Sequence, residues 1–219
     1  MQSSLFIWGV PPFLLLLVLA VFPELDLWVS ASLHDPTVGF FWATMPICRV
    51  LYASVEWLVP IWIGLCVFAL GVAAARKRSV FTLKWRAWLF LILSLAIGPG
   101  LIVNTIFKDH WGRPRPDMIR EFGGEASFDP FWKPSSACDQ NCSFPSGHAS
   151  MAFYTMSPGF VLPRHRRRIF LAGCGYGLSV SVVRMAQGGH FLSDVIASFC
   201  VVFTVSYLLY RLLFRTEAP

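Results

Sequence analysis

Charge is what this sequence has least of. Only 14% of its 219 residues are Asp, Glu, Lys or Arg, against 56% that are apolar, a balance that excludes an ordinary soluble domain of this size. No lysine or arginine precedes Arg49, so the first apolar run lacks the basic leader of a secretory signal and reads as a retained helix. Of six cysteines only Cys138 and Cys142 form a close pair. A zinc site built from two such pairs therefore lacks its second half. No acid-rich cage of the kind that holds two metals is evident either.

What the sequence does have is apolar and aromatic: twenty Phe and nine Trp accompany six runs, near 5–22, 55–75, 87–107, 147–163, 168–187 and 191–213. Each is long enough to cross a bilayer. The expected fold class is all-α, a polytopic membrane protein with six transmembrane helices forming one domain over residues 1–219, with outer loops near 23–54 and 108–146. The formal charge of +6 could suggest nucleic acid, but the cations sit in short loops between spans rather than on one face, so no nucleic-acid partner is expected. Gly98-Pro99-Gly100 predicts a kink or unwinding in the third span.

Basic residues set the orientation. Arg76, Lys77, Arg78, Lys84 and Arg86, then Arg164, Arg166, Arg167 and Arg168, then Arg211 and Arg215 fall on one side of a six-span count, with Glu217 the only acid there. The positive-inside rule makes that side cytoplasmic, with both termini. The 108–146 loop then faces out, where an oxidising compartment favours a Cys138–Cys142 disulfide.

Three stretches on that outer side carry chemistry. In Lys108-Asp-His-Trp-Gly-Arg113-Pro-Arg115-Pro116 three cations, stiffened by prolines, form an anion site, although alone they fit headgroup binding as well. In Pro145-Ser146-Gly147-His148 a serine can cap a helix whose first amides cradle a phosphate. In Arg184-x5-His190-x3-Asp194 a carboxylate one helical turn from an imidazole can fix its tautomer and free the other nitrogen to attack.

Order and spacing of these stretches resemble the type 2 phosphatidic acid phosphatase superfamily. The resemblance implies a metal-independent phosphatase with no cofactor, acting through a phosphohistidine. His190 would be the nucleophile, Asp194 its orienting carboxylate and His148 the acid and base. Lys108, Arg115, Arg184, Ser146 and the Gly147 amide would bind phosphate, and Arg113 would support the site or touch a headgroup.

Trp111-Gly-Arg-Pro-Arg-Pro, Phe122-Gly-Gly and Asn141-Cys-Ser-Phe look similar to the bacterial lipid A phosphatase branch. The expected substrate is thus a membrane lipid phosphate, met at the periplasmic face of a bacterial inner membrane. Position 1 or 4′ of lipid A, undecaprenyl pyrophosphate and phosphatidylglycerophosphate fit the same chemistry, and a non-catalytic lipid-binding or transport protein is the alternative of another class. Oligomeric state is not legible.

Overall fold

The structure is a computed structural model that describes residues 2–214; Arg215 and Glu217, counted on the inner side above, lie outside the described residues. Those residues form helices and no strands. The chain runs α1 (Gln2–Val21), α2 (Glu24–Ser32), α3 (Pro46–Arg76), α4 (Trp85–Leu95) with a wider-wound continuation (Ala96–Phe107), α5 (Gly147–Tyr154), α6 (Pro158–Val161), α7 (Arg166–Ala186) and α8 (Leu192–Leu213). Among the described residues four helices are long and apolar enough to cross a membrane. A fifth crossing is reached if α1 and α2, bent by 103° at their junction, count as one span.

The expected fourth span, 147–163, differs most. Pro158 has no N–H to donate, so the backbone tightens ahead of it: Met156 N bonds Phe153 O and Ser157 N bonds Tyr154 O, both three residues back. The resulting α5–α6 pair is too short and broken to meet the length criterion for a span. The second span differs the other way, because α3 begins at Pro46, nine residues before the apolar run. Proline at a first helical position needs no donor, and Met45 lies extended ahead of it.

Gly98-Pro99-Gly100 unwinds the third span into π-helical turns over Ala96–Phe107. The wider turn relieves the clash of a proline ring with the carbonyl one turn back. Asn104 Nδ2 donates to the Pro99 carbonyl at 2.7 Å.

At the centre stands α8, buried along most of its first sixteen residues. Phe199, Phe203 and Tyr207 recur every four positions and stack along one stripe, with centroids 5.8 and 6.2 Å apart. Phe153 meets Phe199 edge-on, and buried Ser157 and Ser206 share a hydrogen bond of 2.9 Å. Against α5 runs the Gly173-x3-Gly177 stripe of α7, where a Cβ on Gly173 would lie 2.4 Å from Met156 N and one on Gly177 2.1 Å from the Phe153 ring. Small residues at this spacing let two helices approach to backbone contact.

Gly173→Leu is therefore expected to lower the unfolding midpoint in detergent by the equivalent of about 3 kcal/mol or more, because backbone cannot move aside as a side chain can. Gly175→Leu, with nothing within 4 Å of its Cβ position, is expected to change it by less than about 0.5 kcal/mol. Thermal unfolding of the two variants side by side checks this.

Candidate active site

α8 begins where Phe191 lies extended and Asp194, in the first turn, accepts a hydrogen bond from Phe191 N at 2.7 Å. Capping of this kind satisfies an amide that the helix leaves free and fixes the carboxylate. Asp194 also accepts from Ser143 Oγ at 2.5 Å and from Arg113 Nη1 at 2.5 Å. It has no exposed surface.

With its carboxylate engaged by those donors, Asp194 leaves His190 to another partner. The Nδ1 of His190 lies 3.7 Å from Asp194 Oδ2 but 2.6 Å from the carbonyl of Ser143. A carbonyl can only accept, so Nδ1 carries the proton and Nε2 keeps its lone pair. The orienting bond expected from Asp194 is thus made by the Ser143 backbone, with Asp194 acting across a longer gap. Burial pushes His190 down to about 4 against the pull of Asp194, with Arg184 and Lys108 lowering it further, so the ring is neutral near pH 7.

Around it gather the cations. Arg184, in the last turn of α7, is nearly buried, with Nη1 donating to Gln187 Oε1 at 2.5 Å. Gly189 leaves room for this guanidinium, since a Cβ there would lie 2.5 Å from Arg184 Nη2. Lys108 follows the π-helical turns, and both its Nζ and Asn104 Oδ1 crowd the space a Cβ on Gly147 would take, at 3.3 and 2.4 Å. Arg115 is held by the carbonyl of Asn141 at 2.6 Å, inside the loop closed by the Cys138–Cys142 disulfide. Burial brings Lys108 down to about 8, with Arg115 and Arg184 adding like-charge repulsion.

His148, in the first turn of α5, is within electrostatic reach of Arg184, Lys108 and Arg115. The expected residues therefore converge. Ser146 is wholly buried, and its hydroxyl accepts from Ala149 N at 3.4 Å, capping α5. Arg113 is wholly buried between Asp194 and Asp26, so of its two expected roles it supports the site and touches no headgroup. Among the described residues no three His, Cys, Asp or Glu side chains gather as a metal site.

The sequence reading missed three residues. Tyr52 of α3 stacks on His148, with centroids 4.1 Å apart, and its ring sits 5.1 Å from the Arg184 guanidinium. No motif spacing points to it. Ser143 binds both His190 and Asp194 and stands inside a quoted segment. Asp26 is the third, an acid set among apolar residues in α2.

Three of the five buried side-chain atoms without a hydrogen-bond partner among the described residues are His148 Nε2, Arg184 Nε and His190 Nε2. Orphaned polar atoms are costly in a protein interior, and three in one cationic site mark where an anion with several oxygens fits. A neutral imidazole with a free lone pair beside such a site can form a bond to a bound phosphorus.

A model of the PAP2 superfamily matches residues 87–218, the span that holds all three stretches. The chain belongs to the PAP2 superfamily. Within it, a protein named lipid A 4′-phosphatase from Francisella tularensis subsp. novicida (strain U112) is 42% identical over 140 residues, 63% of each chain. Another of that name from Rhizobium leguminosarum is 36% identical over 104 residues, 47% of this chain and 45% of that one. The chain thus spans less than two thirds of the relatives it matches. A crystal structure of a transmembrane PAP2-type phosphatidylglycerolphosphate phosphatase from Bacillus subtilis superposes with a TM-score of 0.58 at 20% identity, covering 98% of this chain and 96% of that one. At that identity it speaks for the PAP2 fold alone.

A lysine is charged below its pKa, so the anion affinity that Lys108 confers is present below about 8 and lost above it. Sulfate, which does not titrate in this range, is expected to bind roughly tenfold more weakly at about pH 10 than at about pH 7. Calorimetric titration checks this, and Lys108→Met is expected to remove most of the difference.

Proposed function

We propose that the chain is a lipid phosphate phosphatase of the PAP2 superfamily that works through a phosphohistidine. The observation that carries this reading is the His190 ring, whose Nδ1 proton is fixed by the Ser143 carbonyl while buried Nε2 has no hydrogen-bond partner among the described residues. Nε2 attacks phosphorus as the bond to the lipid oxygen breaks, and His148 protonates that oxygen. His148 then takes a proton from water, which attacks phosphorus, breaks the P–N bond and releases inorganic phosphate. Lys108, Arg115 and Arg184, with the Gly147 amide, hold the phosphoryl oxygens as charge redistributes.

The lipid character of the substrate rests on two adjoining cavities. One of about 380 Å³ is lined by Lys108, Gly147, His148 and Asn104 and also by Val55, Val59 and Met151. The last three also line an apolar cavity of about 230 Å³ that continues along Leu58, Trp62 and Leu95. A phosphate in the first and an acyl chain in the second is the arrangement this supports. The names of the Francisella and Rhizobium relatives favour the 4′-phosphate of lipid A. Phosphatidylglycerophosphate is the second reading, favoured by the name of the Bacillus structure.

Basic residues crowd the α3–α4 and α6–α7 connections, while the site lies by the 108–146 loop with its disulfide. Read with α1 and the broken α5–α6 pair as crossings too, the chain crosses six times and the basic connections lie opposite the site; this supports a periplasmic site in a bacterial inner membrane, with cytoplasmic termini.

Phosphate release from lipid A, phosphatidylglycerophosphate, undecaprenyl pyrophosphate and phosphatidic acid is the test. EDTA-resistant release is expected, reduced at least about a thousandfold in His190→Ala. Release from none of them returns the site to lipid binding or transport, and turnover surviving in the variant overturns the phosphohistidine mechanism. Met151→Trp, which fills the junction of the two cavities, is expected to raise KM for the lipid at least about fivefold while sparing a short-chain soluble phosphate ester.

A further inference from the structure

Asp26 stands outside the residues that the family match covers, on a helix to which the phosphohistidine chemistry assigns nothing. Yet it has 1% of its surface exposed and reaches across the fold to the start of α8. Its Oδ1 accepts from Ser193 N at 2.8 Å, and its Oδ2 accepts from Ser193 Oγ at 2.5 Å and from Arg113 Nη2 at 2.8 Å. Every partner is a donor, which is the pattern of an ionised carboxylate.

Arg113 completes the arrangement. Its Nη1 donates to Asp194 and, at 2.8 Å, to Ser193 Oγ, its Nε donates to the Asp129 carbonyl at 2.9 Å, and its guanidinium lies 4.3 Å from the centre of the Phe191 ring. Two carboxylates therefore share one guanidinium, all three wholly or almost wholly out of water. With both carboxylates ionised their sum is one negative charge, set beside the His190 ring.

We propose that Asp26 is a positioning residue for the nucleophile: by taking part of the Arg113 charge it leaves Asp194 a net negative partner for the imidazolium that forms on His190. The proposal rests on the phosphohistidine reading. When Nε2 bonds phosphorus and the lipid oxygen leaves, the ring keeps its Nδ1 proton and gains a positive charge. With Asp26 ionised the buried group then sums to zero. With an amide at 26 it would sum to one positive charge in a site already rich in cations, and the transition state bears that cost while substrate binding does not.

The test compares full-length, detergent-solubilised Asp26→Asn, Ser193→Ala, His190→Ala and the double variant Asp26→Asn with Arg113→Gln, reading kcat, KM and the thermal midpoint. Asp26→Asn is expected to lower kcat at least about tenfold with KM within about twofold. Ser193→Ala removes hydrogen bonds but no charge and is expected to lower kcat less than about threefold. The double variant restores one net negative charge and is expected to regain at least about threefold of the loss. Wild-type kcat in folded Asp26→Asn, an equal loss in Ser193→Ala, or no recovery in the double variant overturns the proposal.

Should Asp26→Asn fail to fold, the double variant decides alone: at least about a tenth of wild-type turnover supports charge sharing and less overturns it. Turnover surviving in His190→Ala sinks the phosphohistidine reading and this proposal with it. Loss in His190→Ala beside wild-type kcat in Asp26→Asn sinks the proposal only.

Discussion

A guanidinium sealed from water between two carboxylates is the interaction on which the rest of this structure depends. Arg113, Asp26 and Asp194 are each at most 1% exposed, and an ion buried without its partner costs several kcal/mol. That cost ties three distant parts of the chain together: α2, the loop after the π-helical turns and the first turn of α8. Once Arg113 is in place, its carbonyl receives Ser143 N at 2.9 Å. Ser143 in turn fixes His190 through its carbonyl and Asp194 through its hydroxyl. The His190 ring is thus oriented by a chain of satisfied bonds that begins well away from it, and among the described residues its buried Nε2 is left without a partner.

The phosphate side of the site rests on a different constraint, the shape of the backbone. π-helical turns after Pro99 deliver Lys108 and Asn104 against α5 at Gly147, where no side chain stands in the way. Tyr52 packs against His148 on one side and Arg184 on the other, so the second histidine and a cation share one aromatic plate. Asp117 offsets part of the charge on Arg115 and Arg184, while desolvation and repulsion from those two arginines lower Lys108. That energy is recovered when an anion binds.

Much of this was legible in the sequence, for physical reasons. The long spans follow from composition, and the motif residues meet because each stands at a helix end, a position that hydropathy locates well. Segment 147–163 read as a full span because hydropathy does not register the donor that Pro158 lacks. The start of α3 at Pro46 was hidden because its first turns are not uniformly apolar. Asp194 reads as the direct partner of His190 from spacing alone, since spacing cannot show that its oxygens are already engaged. Tyr52 and Asp26 left no signal because their roles depend on contacts between distant parts of the chain, from the 87 residues that separate Asp26 from Arg113 to the 167 that separate it from Ser193.

That separation also bears on how the protein is made. At the usual pace of synthesis of about 5–20 residues per second, Asp26 emerges roughly 8–33 s before Ser193 does. Throughout that interval α1 and α2 are complete, yet the serine amide and hydroxyl that hold the Asp26 carboxylate have not been synthesised. Arg113 arrives about midway and has one of its two carboxylates to bind. The ionic cluster closes only when α8 is made, so the order of translation holds back the setting of the His190 ring until well after α2 and the Arg113 loop have been synthesised.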